Sequence, residues 1–182
     1  TSIGGGGAYG TYGGIIYNLG DLTISKTIFD NMSGKYEDFS SVVGGSFTIF
    51  NYGKMNVTNN YFINSPHKEH RWSSIGYLSA YTYAYTNDQN NAYMSNNYYC
   101  LNTDPYTIDT NFPVNDYFIL AFDPDYYALN LNEVRNITLK LKLASGKEFS
   151  NYELLPKANV TIYTYDENGN KINFTKELTN GQ

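Results

Sequence analysis

The segment Gly13-Gly14-Ile15-Ile16-Tyr17-Asn18-Leu19-Gly20-Asp21-Leu22-Thr23-Ile24, followed by Ile28-Phe29-Asp30-Asn31, is written into this chain more than once. It returns as Gly44-Gly45, Ile49-Phe50-Asn51-Tyr52-Gly53-Lys54-Met55-Asn56-Val57 and Tyr61-Phe62-Ile63-Asn64. The offset is 33 for Asn18/Asn51, Gly20/Gly53, Leu22/Met55, Ile24/Val57, Phe29/Phe62 and Asn31/Asn64. A third, degraded copy, Asn90 to Tyr99, aligns with Gly53 to Phe62 at an offset of 37. Self-similarity at such a period is the mark of a repeat architecture.

Within each copy the apolar residues alternate: Leu22 and Ile24, Met55 and Val57, Ala92 and Met94. A period of two means a strand with those side chains on one face. Gly and Asn bound each strand, and both tolerate the positive φ of a tight corner. One copy cannot bury its apolar face alone, so copies stack and each strand pairs in parallel with its equivalent. The expected fold is therefore all-β and opens as a short parallel β-helix over residues 1–111. Stacking would place Phe29, Phe62 and Tyr99 in an aromatic column and Asn31 over Asn64 in an Asn ladder. The surplus length falls at residues 33–43 and 65–74, which are polar and irregular and read as projecting loops.

Beyond about Asp109 the repeat is gone and the strands lengthen. Residues 117–122 form one candidate. Residues 134–143 alternate clearly, with Ile137, Leu139, Leu141 and Leu143 on one face and Lys140 and Lys142 on the other. Residues 160–165 and 171–178 flank Asp166-Glu167-Asn168-Gly169-Asn170, whose Asn-Gly predicts a hairpin. This is an antiparallel β-sandwich pattern over residues 112–182. At about 70 residues it is short of the roughly 100 of a complete immunoglobulin-type domain, and one or two terminal strands are expected to be missing.

Composition narrows the function. Tyr occurs 20 times and Asn 24 times in 182 residues, an excess that suits turns and flat polar strands. A chain 17% aromatic and 16% charged is not disordered. A net charge of -5 argues against nucleic acid as partner. The one cysteine, Cys100, excludes an internal disulfide and reads as a small buried residue at the end of the stack. No apolar run reaches the roughly 20 residues of a membrane-spanning helix. Asn-x-Ser/Thr acceptors stand at Asn31, Asn56, Asn136, Asn159 and Asn173, glycosylation candidates that favour an extracellular protein. The opening Thr1-Ser2-Ile3-Gly4 falls in mid-repeat and carries no signal peptide, so the chain reads as a piece of a longer protein.

The pattern at 13–24, echoed at 44–57, resembles the repeats of methanogen (archaeal) adhesin-like surface proteins. Asn96-Asn97-Tyr98-Tyr99-Cys100 with Asp104-Pro105 is similar to the segment that closes their helices, with tyrosines for tryptophans and Cys100 for a glycine. From Pro113 onward, with Leu155-Pro156 and Val160-Thr161-Ile162, the chain is similar to bacterial-type immunoglobulin-like modules. The resemblance implies a right-handed, pectate-lyase-like parallel β-helix followed by an immunoglobulin-like sandwich, on a cell-surface protein of adhesive role. It implies no catalytic residues.

Functional side chains are dense only at His67-Lys68-Glu69-His70-Arg71-Trp72. The two histidines with Glu69 make a poor metal site, because a loop holds ligands loosely and no third histidine exists. His67, Glu69, His70, Arg71 and Trp72 are therefore candidate ligand contacts on an exposed loop, where recognition residues concentrate. No column of acids runs up one face, since Asp30 aligns with Ile63 and Asp21 with Lys54. Neither catalysis, a cofactor nor a metal is expected. The leading expectation is a non-enzymatic module for adhesion or display, its partner a surface protein, a glycan or copies of itself. The alternative is a subunit that assembles by strand donation or by stacking of helix ends; a polysaccharide-active enzyme comes third.

Overall fold

The computed structural model describes residues 12–30, 45–63, 71–73, 76–78, 84–100, 105, 110–123, 136 and 138–182. These residues form an all-β structure with short 3-10 turns at Gln89–Asn91 and Tyr152–Leu154. The first repeat supplies β1 (Tyr12–Asn18), β2 (Asp21–Ser25) and β3 (Ile28–Asp30). The second supplies β4 (Gly45–Asn51), β5 (Lys54–Thr58) and β6 (Tyr61–Ile63). A two-stranded insertion follows, β7 (Arg71–Ser73) and β8 (Gly76–Leu78). The third repeat supplies β9 (Ala84–Thr86), β10 (Ala92–Ser95) and β11 (Asn97–Tyr98).

Equivalent strands pair in parallel and build three sheets, β1-β4-β9, β2-β5-β10 and β3-β6-β11. The register reproduces the sequence offsets: Leu22 lies beside Met55, Phe29 beside Phe62, and Tyr61 beside Tyr98. The path goes on past the point where the sequence repeat ends. Thr110 bridges to Ala84, Asn115 N–H donates to the Met94 carbonyl, and β12 (Tyr117–Asp123) starts by pairing in parallel with β11. Residues 110–118 thus trace a fourth rung held by backbone bonds, with Phe112 filling its interior.

The corners explain the Asn and Gly of the repeat. Asn18 Nδ2 donates to Gly20 O at 2.9 Å and to Asn51 Oδ1 at 2.6 Å. Asn51 Nδ2 in turn donates to Gly53 O at 2.8 Å and to Thr86 Oγ1 at 3.1 Å. Each side chain closes its own turn and bonds to the next rung. A second ladder stands at the following corner, where Asn60 donates to Asn97 Oδ1 at 3.0 Å and accepts from Thr27 N–H. There Lys26, Asn59 and Asn96 form a column at φ 53, 60 and 54, the left-handed region that Asn tolerates better than most residues. Gly53 has a different reason: a Cβ on it would lie 2.0 Å from Gly20 O. The expected ladder of Asn31 over Asn64 lies outside the described residues.

Two apolar clusters share the third sheet. Inside the rungs, Phe29, Ile49, Met55, Val57, Phe62, Met94, Tyr99 and Phe112 are buried together. Phe29 stacks on Phe62 at 4.6 Å and Phe62 on Tyr99 at 5.2 Å, so the expected aromatic column is present. The second cluster lies on the outer face of that sheet. It joins Tyr61 with Phe118, Leu141, Leu143, Leu155 and Leu178. Antiparallel β13 (Thr138–Leu143) extends the sheet beyond β12, with Leu141 beside Leu120 and Leu143 beside Phe118. A separate antiparallel hairpin, β14 (Ala158–Tyr165) and β15 (Lys171–Leu178), closes the described chain. Its turn is the one expected at 166–170: Asp166 Oδ1 accepts from the Asn168 and Asn170 N–H groups, and Gly169 sits at φ +79.

One expectation is corrected. Cys100 is exposed, not buried. Strand alternation turns the preceding Tyr99 into the core, and Cys100 leaves the strand at φ 58, which carries it outward.

Candidate functional site

Of the expected contact residues, Arg71 and Trp72 lie on β7, in the excursion between β6 of the second rung and β9 of the third. Antiparallel pairing sets Trp72 opposite Tyr77 and Arg71 opposite Leu78. This part of the excursion is thus a small antiparallel hairpin of its own. His67, Glu69 and His70 lie outside the described residues. Among the described residues no group of three His, Cys, Asp or Glu side chains could hold a metal ion, and no helix is long and apolar enough to cross a membrane.

The glycosylation candidates separate by position. Asn56 is exposed on β5, between the inward Met55 and Val57, and Asn136 is exposed just before β13. Asn159 and Asn173 are exposed on the terminal hairpin. Register puts them on one face of it, because Asn173 opposes Tyr163 and Asn159 shares the parity of Tyr163. Asn31 lies outside the described residues.

Two further surfaces were not legible as sites. The first is a column of rings on the outer side of the first sheet. Tyr17 stacks on Phe50 at 5.5 Å with 3° between planes, and Phe50 on Tyr85 at 5.2 Å with 13°. Phe50 is only 2% exposed while Tyr17 is 56% exposed, because the inner ring is covered on both sides. Rings stacked in this way occupy one another's faces, so the column serves the stack better than it serves a ligand. Its signal was the 33-residue offset of Tyr17 and Phe50. Tyr85 carries no such signal, because its offset from Phe50 is 35.

The second is an open groove of about 480 Å³ between the outer side of β10 and the segment after β13. Tyr93 and Phe149 contribute rings; Asn96, Asn115, Asp116, Lys147, Glu148 and Asn151 contribute polar groups. Asp116 is already engaged, since Oδ2 accepts from Ser145 Oγ at 2.5 Å and Oδ1 from Tyr117 N–H at 2.9 Å. The groove is polar and shallow and able to hold a hydroxylated ligand. Its residues come from parts of the sequence 58 positions apart (93 to 151), which no local motif could have joined.

The strongest electrostatic perturbations belong to packing. Burial pushes the Tyr61 phenol upward, with Tyr98 adding a smaller push, and burial raises Tyr98 too, helped by Cys100. Hydrogen bonding to Lys140 lowers the Asp123 carboxyl, and bonding to Asn170 lowers Asp166. None of these groups forms an acid–base pair in a cleft, the pattern that marks catalysis. No protein-family model, no curated protein and no solved structure matches this chain.

Proposed function

We propose that this chain is a non-enzymatic module of an extracellular cell-surface protein, adhesin-like, whose work is adhesion or display. The finer fold in this reading is a short right-handed parallel β-helix over residues 1–111, followed by an immunoglobulin-like β-sandwich over 112–182 that lacks terminal strands. Support for the helix comes from the in-register parallel pairing of successive repeats. Support for the sandwich comes from the two antiparallel pairs, β12–β13 and β14–β15, with an apolar cluster that draws on both.

One observation carries the functional reading. A rigid stack of rungs is interrupted by a hairpin excursion bearing Arg71 and Trp72, the only tryptophan in the chain. A variable excursion on a regular scaffold is where recognition is commonly built. Exposure of Asn56, Asn136, Asn159 and Asn173 accords with a glycosylated surface protein.

The sole tryptophan is also the reporter. Titration with cell-wall polysaccharides and with whole-cell extracts should shift Trp72 fluorescence while releasing no reducing ends. Trp72→Ala should weaken binding, followed by calorimetry, and leave the melting temperature unchanged. Release of reducing ends would overturn the non-enzymatic reading, and binding indifferent to Trp72→Ala would remove the excursion as its contact.

A further inference from the structure

Among the described strands, β1, β2 and β3 each stand at the edge of their sheet, pairing on one side with β4, β5 and β6. The opposite end of the repeat stack is engaged, since Thr110 bridges to Ala84 and residues 115 and 116 bond to the backbone of Met94 and Asn96. The inward face of the first rung is only partly covered. Ile16, Leu22 and Ile24 are half-buried, whereas their equivalents Ile49, Met55 and Val57 are buried. Tyr17 likewise ends the ring column exposed, while Phe50 beside it is buried.

Gly20 identifies what fits this surface. Gly53 has no room for a Cβ, because the preceding rung brings Gly20 O to 2.0 Å from that position. Gly20 holds the same place in the first repeat, yet a Cβ on it meets nothing within 4 Å and its φ lies outside the left-handed region. Within the described residues neither crowding nor backbone conformation calls for glycine there. The clearance by which Gly53 receives a preceding rung is thus present at Gly20 as well.

The first Asn ladder gives the surface a direction. Asn18 Nδ2 donates to Asn51 Oδ1 and Asn51 Nδ2 to Thr86 Oγ1, so each rung donates to the next. Asn18 Oδ1 accepts from the Gly20 N–H of its own corner and stands where Asn51 Oδ1 takes the bond from the rung before it. The fitting occupant therefore presents a donating amide. A second copy of this chain does not: its first rung shows the same accepting side, and its third rung is covered by residues 110–118.

We propose that the first rung is the docking surface for a further copy of the repeat. That copy precedes β1 in the same polypeptide, because successive repeats here stack in chain order, each on its equivalent. It lays an Asn amide on Asn18, a corner glycine on Gly20 and a ring on Tyr17. The inference rests on the described stacking and does not depend on the adhesive reading.

Inserting a second copy of residues 12–44 ahead of Tyr12 in the whole chain tests it, because this restores the offset of 33. The melting temperature should rise by at least about 5 °C, and the same residues in scrambled order should give no rise. Gly20→Ala should lower the melting temperature of the original chain by less than about 2 °C and that of the extended chain by at least about 5 °C. An extension without a rise overturns the proposal, as does an equal rise from the scrambled copy. So does an extended chain that tolerates Gly20→Ala as well as the original. Sedimentation of the original chain adds a further check: a dimer abolished by Gly20→Ala would assign the surface to a second copy and overturn the proposal.

Discussion

Tyr61 shows how burial sets the behaviour of single residues in this molecule. Its ring is fully buried between the third sheet and the C-terminal segment, and its hydroxyl makes no hydrogen bond among the described residues. A buried hydroxyl without a partner carries its desolvation cost uncompensated. Tyr61→Phe should therefore stabilise the protein by about 1 kcal/mol at neutral pH, read from urea midpoints. The pH dependence has a definite sign. Burial raises the phenol above its ordinary value of 10.0, so the fold favours the neutral form. That contribution is fully present below pH 10 and is lost as the pH rises above it, where the unfolded chain ionises first. The loss is about 1.4 kcal/mol per pH unit for this tyrosine. Tyr61→Phe should flatten the decline above pH 10, and loss of stability in Tyr61→Phe at neutral pH would mean that the hydroxyl has a partner. Asn51 is the opposite case: fully buried, yet bonded through its side chain to Asn18, Gly53 and Thr86.

At the scale of elements, the corner between the first and second sheets makes a sharp contrast. Gly20 and Gly53 are equivalent in the repeat, yet a Cβ on Gly20 meets nothing within 4 Å while one on Gly53 strikes the Gly20 backbone. Gly20→Ala should change stability by less than about 0.5 kcal/mol, whereas Gly53→Ala should cost roughly 3 kcal/mol or more, since backbone must move. Equal effects in thermal melts would contradict the stacked corner. This contrast also shows what the sequence makes legible. The 33-residue offset of Gly20/Gly53 and Phe29/Phe62 was visible because both members are the same residue type or nearly so. The fourth rung was not, because its pairing offsets shrink to 26 at Ala84/Thr110 and 20 at Asn97/Tyr117, even though the Asn111 side chain bonds both the N–H and the carbonyl of Thr86. Lys26 at φ 53 was equally silent, since nothing but its place over Asn59 and Asn96 marks it as a corner. The Tyr93 and Asp116 groove needed the register of two distant segments before it could be seen. The Trp72 cluster is legible as the sequence's one dense run of functional side chains, whereas its hairpin setting comes from the pairing.

For the whole molecule, the decisive feature is that two cores share one sheet. Phe62 faces the inner cluster and Tyr61 the outer one, and β12 continues the sheet that begins with β3. Residues on either side of position 111 therefore complete one another's burial. A fragment of residues 1–111 loses Phe112 from the inner core and uncovers Tyr61 and Tyr98. It should fail to show the cooperative melt of the full chain by circular dichroism; a fragment melting at the parent temperature would mean that the first region folds alone.

The in-register stacking of repeats underlies the fold, and methyl-labelled nuclear Overhauser spectroscopy tests it most directly. Side chains on adjacent paired strands lie about 5 Å apart. Parallel register at offsets of 33 and 37 predicts cross-peaks for Leu22 with Met55, Ile24 with Val57, and Val57 with Met94. Absence of those three, or cross-peaks that instead join Leu22 with Val57 and Ile24 with Met55 in antiparallel order, would contradict it.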